Sequence, residues 1–316
     1  MGENRVVEEI RIRDIEGLRI GNAQDDEAKT GVTVLLFDNG AKVGVDVSGG
    51  GPASRETRLA EPLTADNPIN AIVLSGGSAY GLAAADGVMR YLEERKIGYD
   101  TGFAKVPLVC QSCIYDLGTG RSDVRPDADM GYAACRNAEK NTPECGSVGA
   151  GCGATVGKLY GMERASASGL GIHAVKVGNL LMAAVVVVNA LGDIFDPDTG
   201  KKLAGLRTED GSGFADTRQE LYKISRQTDL FAGNTTIGAV ITNGKFSKAE
   251  MSKIASMARS GYARCINPVG TMADGDTIYA ASIGDVPADI NVAGTLAAGV
   301  IAEAVKKAID IKSSCK

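Results

Sequence analysis

Glycine is the residue that most constrains how this chain can fold. It accounts for 41 of 316 residues, nearly twice the usual share of about 7%, while aromatic residues make up only 5%. So much glycine predicts many tight turns and many places where one backbone segment approaches another closely. With 44% hydrophobic and 23% charged residues, the composition is that of a globular protein with a sizeable core, and we expect one compact domain over residues 1–316.

Strand-like and helix-like segments are mixed along the chain. Residues 32–38 and 42–47 read as two strands, with Asp38, Asn39 and Gly40 as the hairpin turn between them. Apolar runs and helical periodicity predict further strands at 70–74, 106–117, 174–195, 235–242 and 277–283, and helices at 79–96, 128–139, 247–264 and 291–312. No regular βαβ rhythm is present, so the pattern predicts a mixed α/β domain with sheets at its centre and helices outside.

Charge and hydropathy exclude several partners. The net charge is −5 and Lys and Arg do not cluster, which argues against a nucleic-acid surface. The longest apolar run, residues 180–188, is about half a membrane span and is predicted to be a buried strand rather than a membrane segment. The polar start shows no signal peptide and the seven cysteines are scattered, so a reduced, cytoplasmic protein is the expectation.

A single histidine removes whole classes of chemistry. Sites with several His ligands cannot form, and any Ser-His or Cys-His pair would need His173, whose small apolar surroundings indicate a structural role. The Gly-x-Ser-x-Gly motif is absent as well. A hydrolase built from this chain must activate its nucleophile without imidazole, and we expect neither a metal nor an organic cofactor.

The glycine-rich segment 149–154 matches a dinucleotide fingerprint, Gly-x-Gly-x-x-Ala, but a turn rather than a strand precedes it. That context disfavours a nucleotide site. Cys110 and Cys113 are three residues apart in an apolar strand, so alternation sends their thiols to opposite faces and two packed thiols are expected there.

The junction between Asn234 and Thr235 carries more chemistry. In the simpler interpretation, Asn234 ends a turn and Thr235 is a β-branched strand residue. In the functional one, the Thr235 hydroxyl attacks the preceding carbonyl and hydrolysis leaves Thr235 as a new N-terminus. Its free amine, with a pKa of about 7.7–8.0, is then a base suited to neutral pH.

Asp274 and Asp276 follow 39 and 41 positions later, separated by Gly275. Carboxylates two residues apart on an extended backbone point to the same face, and their proximity disfavours ionisation of both. Alone, the motif also fits a turn with two solvated acids.

In order along the chain, these motifs resemble the DmpA-type family of N-terminal-nucleophile aminopeptidases, which includes β-peptidyl aminopeptidases and nylon-oligomer hydrolases. The resemblance spans nearly the whole sequence and rests on residues 74–81, 114–117, 149–158, 187–192, 233–237 and 274–277. The set of Tyr, Lys, Asn, Asn-Thr and Asp-Gly-Asp is most similar to the nylon-oligomer (6-aminohexanoate oligomer) hydrolases.

The resemblance implies a role for each matching residue. It implies that Thr235 is the nucleophile, released by cleavage after Asn234, and that Asp274 and Asp276 orient its hydroxyl and amine. The remaining matches are an oxyanion-hole residue, a lysine near the nucleophile and a tyrosine lining the site: Asn189, Lys158 and Tyr115. Each of the three also has a structural interpretation, as a strand end, a surface lysine and a half-buried core residue. The sequence departs from many relatives at Gly270, where they carry His, and at Gly157, where peptidase members carry Tyr.

The fold implied is a four-layer α/β/β/α sandwich of the DmpA and ornithine acetyltransferase type, self-cleaved into fragments 1–234 and 235–316. The function implied is hydrolysis of amide bonds in short peptides or ω-amino-acid oligomers through an acyl-Thr intermediate. The resemblance also implies assembly into a homo-oligomer, with a tetramer expected. Two alternatives stay open from the sequence: an acyltransferase like ornithine acetyltransferase, and a non-enzymatic protein that binds an anion or nucleotide.

Overall fold

The computed structural model describes residues 6–224 and 233–309. Its α-helices are α1 (Ala84–Glu94), α2 (Ala128–Ala138), α3 (Thr217–Lys223), α4 (Lys248–Cys265) and α5 (Ile290–Ile309). Its strands are β1 (Glu8–Glu9), β2 (Leu18–Asp25), β3 (Thr30–Val47), β4 (Ala53–Arg55), β5 (Ile69–Ser75), β6 (Tyr99–Asp100), β7 (Lys105–Val106), β8 (Val109–Cys113), β9 (Thr155–Val156), β10 (Ser166–Ala167), β11 (Leu170–Val177), β12 (Leu180–Val187), β13 (Asp193–Phe195), β14 (Lys202–Ala204), β15 (Ile237–Gly244), β16 (Ile266–Asn267) and β17 (Thr277–Val286).

Two central sheets are joined through one long strand. The first half of β3 pairs with β2 and β5, and its second half pairs antiparallel with β17. The first sheet contains β2, β5, β8 and β4, and the second continues from β17 through β15, β12 and β11 to β1.

The predicted hairpin at Asp38, Asn39 and Gly40 is therefore wrong. These residues lie inside the continuous strand β3, where Gly40 has a φ of +75° and the pairing with β5 shifts between Leu36 and Ala41. The turn signal is local, whereas both halves of β3 gain long-range partners in different sheets, and tertiary pairing overrides the local preference.

Side-chain alternation along the strands builds three apolar layers. On β5, Ala71 and Val73 pack against α1 and α2, whereas Ile72 and Leu74 face the other sheet. On β15, Ala239 and Ile241 join that inter-sheet core, and Val240 packs with α4 and α5. This gives the order helix, sheet, sheet, helix, so the predicted four-layer sandwich is confirmed.

The remaining sequence-based elements agree in kind and differ at their ends. The helix predicted from residue 79 begins as a 3₁₀ turn, Ser78–Ala83, before α1, and the apolar run at 180–188 is the buried strand β12. The strand predicted over 106–117 is only β7 and β8. Residues 310–312 of the last predicted helix lie outside the described residues.

The cysteines and the apolar helices can also be compared with the predictions from the sequence. Cys110 and Cys113 are buried free thiols, as predicted, whereas Cys145 is disulfide-bonded, contrary to the expectation of a fully reduced chain. Within residues 6–224 and 233–309, no helix is long and apolar enough to cross a membrane.

Glycines let α1 and α2 pack at backbone distance. A Cβ built on Gly87 would lie 1.7 Å from the carbonyl oxygen of Ala128, and one on Gly131 would lie 2.0 Å from that of Ala84. Each helix therefore presents a glycine to the backbone of the other, and a larger residue at either position would push the helices apart.

We expect Gly87→Ala to lower the free energy of unfolding by about 2 kcal/mol or more, because the added methyl group meets backbone. Gly299→Ala in α5 is the matched control, since its Cβ would have nothing within 4 Å, and it should stabilise by up to about 1 kcal/mol. Denaturant unfolding of both variants checks this. Equal effects of the two substitutions would contradict the packing argument.

Candidate active site

Strand register brings together residues that are far apart in sequence. Strands β15 and β17 are parallel, with Ile237 opposite Thr277, and β12 is antiparallel to β15, with Val187 opposite Ile237. Continuing both registers by two residues places Thr235 beside Gly275 on one side and Asn189 on the other. The site therefore lies where β12 ends and where β15 and β17 begin.

Hydrogen bonds confirm that neighbourhood. The Thr235 backbone N–H donates to the carbonyl oxygen of Asn189 at 2.8 Å, and the Thr235 hydroxyl donates to the carbonyl oxygen of Asn234. The Gly275 N–H donates to the same Asn234 oxygen at 2.9 Å. The carbonyl that precedes Thr235 is thus polarised by a backbone donor in the continuous chain, and the hydroxyl is in contact with it.

Only glycine fits at position 275, because the backbone there lies against both Thr235 and Gly51. A Cβ built there would lie 2.8 Å from Thr235 Oγ1 and 2.7 Å from the carbonyl oxygen of Gly51. A second glycine contact covers the other side of the acidic motif, since a Cβ on Gly49 would lie 2.3 Å from the backbone nitrogen of Asp276. The three successive glycines at 49–51 are the sequence signal for this close approach.

The two carboxylates are buried and held by hydrogen bonds. Asp276 accepts from the N–H groups of Thr236 at 2.6 Å and Gly270 at 2.9 Å. Asp274 accepts from the N–H and the hydroxyl of Thr271, at 2.9 and 2.6 Å. Burial, together with the negative charge of Asp274, raises the pKa of Asp276 to about 7.

Lys158 is enclosed by the protein, with 1% of its surface exposed. Its Nζ donates to Oδ1 of Asn189 at 2.7 Å, and to the carbonyl oxygens of Asn189 and Gly233, each at 3.1 Å. Burial lowers the pKa of Lys158 to about 7, and the charges of Asp274, Asp116 and Asp276 partly oppose that fall. The surface-lysine interpretation of Lys158 is therefore wrong.

The Asn189 carboxamide has a fixed orientation. Its Oδ1 accepts from Lys158 and from the Thr155 N–H at 3.0 Å, so its Nδ2 donates in the opposite direction, to the carbonyl oxygens of Tyr115 at 3.1 Å and Gly233 at 3.4 Å. Tyr115 is half-buried, and its backbone carbonyl makes this contact.

Of the residues predicted for the site, Thr235, Asn234, Asp274, Asp276, Asn189 and Lys158 lie together, and Tyr115 reaches them through its backbone. Two contributors were missed. No sequence pattern identifies the Gly275 N–H, because every residue except proline carries a backbone donor, and Asp116 lies in the segment 114–117 without a predicted role of its own. Asp116 is buried and accepts from the Gly77 N–H and the Thr30 hydroxyl, each at 2.7 Å.

His173 lies elsewhere, on β11, with Nδ1 3.6 Å from Oε1 of Glu9. Burial lowers the pKa of His173 to about 4, so the ring is neutral near pH 7. The glycine-rich segment 149–154 does not form an open nucleotide-binding loop, since Gly149, Ala150 and Gly151 are buried. Among the described residues, no group of three or more His, Cys, Asp or Glu side chains is arranged to hold a metal ion.

The family model for Peptidase family S58 matches residues 11–313. This chain belongs to Peptidase family S58. It is 38% identical over 313 residues to an uncharacterized aminopeptidase of Mycobacterium leprae, covering 92% of this chain and 84% of the relative. It is also 34% identical over 280 residues to a 6-aminohexanoate-oligomer endohydrolase of a Kocuria species, covering 86% and 75%.

Solved structures agree with the S58 assignment at the level of the fold. A Burkholderia beta-aminopeptidase superposes with a TM-score of 0.66 at 18% identity, covering 94% of this chain and 85% of that one. An L-aminopeptidase D-Ala-esterase/amidase from Ochrobactrum anthropi, described as a variant of the Ntn hydrolase fold, gives 0.66 at 16% identity, covering 94% and 85%. The predicted family, fold and enzyme class, an amide-hydrolysing peptidase, are confirmed.

The raised pKa of Asp276 predicts a pH dependence of stability. Folded chain keeps the Asp276 proton up to about pH 7, whereas unfolded chain loses it near the ordinary value of 3.8, so folded protein binds more protons between these limits. The contribution of this group to stability is therefore complete below pH 4 and is lost as the pH rises towards 7.

A pair of uncleaved proteins isolates this effect: Thr235→Val and the double variant Thr235→Val, Asp276→Asn. We expect the free energy of unfolding of the double variant, relative to the single one, to increase steadily from pH 4.5 to pH 7. Urea titrations at intervals of one pH unit measure it. Parallel curves over that range would show that Asp276 ionises normally.

Proposed function

We propose that this S58 peptidase is made as a continuous chain, cleaves itself between Asn234 and Thr235, and hydrolyses amide bonds with the released Thr235 as nucleophile. The single observation that carries the proposal is the contact of the Thr235 hydroxyl with a carbonyl that the Gly275 N–H already polarises. The matched relatives named as aminopeptidase and oligomer endohydrolase support amide substrates, either short peptides or ω-amino-acid oligomers.

Self-cleavage would proceed by acyl transfer within one junction. The Thr235 oxygen attacks the carbonyl carbon of Asn234, the C–N bond breaks, and the hydroxyl proton ends on the Thr235 nitrogen. The developing negative charge on the Asn234 oxygen would be stabilised by the Gly275 N–H, which is already at hydrogen-bond distance. Water then hydrolyses the ester, giving an Asn234 carboxylate and a free Thr235 amine.

Turnover repeats this chemistry on a substrate. The Thr235 amine, held beside the Asn189 carbonyl, accepts the hydroxyl proton as the oxygen attacks the substrate carbonyl. That proton passes to the leaving amine, and water hydrolyses the acyl-Thr235 ester. Lys158 would keep Asn189 oriented. Asp276 would hold the backbone N–H of Thr236, the residue after the nucleophile, and Asp274 would hold the turn at Thr271.

Three further predictions from the sequence concern the fragments, the cellular location and the assembly. Cleavage into fragments 1–234 and 235–316 follows from the proposed chemistry. A cytoplasmic location, and assembly into a homo-oligomer such as a tetramer, stay predictions.

Two adjacent threonines provide a matched test of the nucleophile. Thr235→Val keeps the side-chain shape but removes the hydroxyl, so we expect neither self-cleavage nor amide hydrolysis. Thr236→Val is the control, because the buried Thr236 hydroxyl has no hydrogen-bond partner among the described residues, and it should cleave and turn over normally. A denaturing gel and an amide-hydrolysis assay measure both.

Cleavage of the Thr235→Val chain at the same junction would overturn the proposed nucleophile. Loss of cleavage in both variants would contradict the assignment of the nucleophile to Thr235 alone, because replacing either buried hydroxyl by a methyl group would then disturb the junction.

Lys158 has its own matched control in another buried lysine. Lys248 is 6% exposed and donates to the carbonyl oxygens of Thr64 at 3.3 Å and Ala65 at 2.9 Å, outside the site. We expect Lys158→Met to slow self-cleavage about a hundredfold, because it removes the donor that holds Asn189 and Gly233. Lys248→Met should lower thermal stability without slowing cleavage.

The time course of fragment formation after purification distinguishes the two lysines. If both substitutions slow cleavage equally, the effect of Lys158 is one of folding, and its role at the site is refuted.

A further inference from the structure

Residues 233 and 234 fill the space in front of the proposed nucleophile in the continuous chain. Asn234 is 2% exposed and Thr235 is 5% exposed, and Gly233 is also buried. A substrate cannot reach Thr235 while this segment is in place. The segment that ends at Asn234 therefore occupies the position of an acyl group attached to Thr235.

The ester expected during self-cleavage is the same kind of bond that joins a substrate to the enzyme. In both cases an acyl carbon is bonded to Thr235 Oγ1, so the groups that surround residues 233–234 also surround the acyl part of a substrate. The carbonyl of Asn234 corresponds to the bond that is cut, and the carbonyl of Gly233 to the next one along the acyl chain.

That second carbonyl is bound by two side-chain donors. The Gly233 oxygen accepts from Lys158 Nζ at 3.1 Å and from Asn189 Nδ2 at 3.4 Å. Both donors are buried, and Lys158 places the positive charge of the site at this carbonyl when it is protonated. An amide oxygen satisfies both donors, whereas a protonated amino group offers them only further N–H groups.

A free amine would also bring a second positive charge close to Lys158. The nitrogen that carries the Gly233 acyl group lies within about 6 Å of Nζ, given the 3.1 Å contact and ordinary amide dimensions. Like charges at such a distance in a buried site repel each other.

The nearby carboxylates already hold donors of the protein. Both oxygens of Asp116 and both of Asp276 already accept hydrogen bonds, from Gly77, Thr30, Thr236 and Gly270. Those of Asp274 accept from Thr271 and, at 3.4 Å, from the Leu191 N–H. An ammonium bound there would have to share these oxygens with the donors that already position them.

We propose that Lys158 and Asn189 form a subsite for a second acyl carbonyl, so that the processed enzyme prefers α-amino-acyl substrates whose amino group is itself acylated. The preferred bond is then an internal amide of a chain, and not the bond after a free N-terminal residue. This inference rests on the proposed function, since it takes Thr235 as the nucleophile.

Four chromogenic substrates test the subsite on processed wild-type enzyme. Asparagine p-nitroanilide has a free amine, its N-ethyl derivative keeps the charge and adds bulk, and the N-acetyl and N-glycyl derivatives supply the carbonyl. We expect kcat/KM for the acetyl and glycyl substrates to exceed that of the other two by about tenfold or more, as a hydrogen bond to a charged donor permits. Release of p-nitroaniline gives the rates.

Equal or faster cleavage of the free-amine substrate would overturn the subsite while leaving Thr235 as the nucleophile. Equal rates for the acetyl and N-ethyl substrates would overturn it too, because bulk and not the carbonyl would then matter. If fully processed enzyme cleaves none of the four, nor any peptide or amide oligomer, the proposed function fails and the subsite with it.

Discussion

The hydrogen bonds of the buried Lys158 amino group are the interactions on which the arrangement of the site depends. An ammonium group inside a protein is costly unless it is paired and fully hydrogen-bonded. Here its three donors reach oxygens of Asn189 and Gly233, and the charges of Asp116, Asp274 and Asp276 lie close enough to act on it. Removing Lys158 would leave the buried oxygens of Asn189 and Gly233 without this donor, and removing an Asp would leave the Lys158 ammonium less well paired. The position of each residue therefore depends on the others.

Strand register explains how such a cluster forms without a long loop. Because β12, β15 and β17 are adjacent, one end of each strand contributes one part of the site: Asn189, Thr235, and the pair Asp274 and Asp276. The inter-sheet core and the helices α4 and α5 hold these strands in place. The reacting groups thus lie on or next to strands, which hold side chains more rigidly than loops do.

The sequence predicted much of this because its strongest signals are local. The apolar run of β12, the periodicity of α4 and the Asp-Gly-Asp spacing each reflect one segment, and the structure agrees with them. The turn at Asn39 and Gly40 failed because its outcome depended on distant strands. The Gly275 N–H and the anchoring of Asp116 could not be found at all, since backbone donors look the same in every sequence and burial of an acid depends on the whole fold.

The central claim is that Thr235 becomes an N-terminus, and the intact mass of the purified wild-type protein under denaturing conditions tests it most directly. The account predicts two fragments whose masses sum to the 32.6 kDa of the chain plus one water, with the smaller beginning at Thr235. A single mass of 32.6 kDa that persists through prolonged incubation would contradict it, because Thr235 would then have neither a free amine nor a route to a substrate.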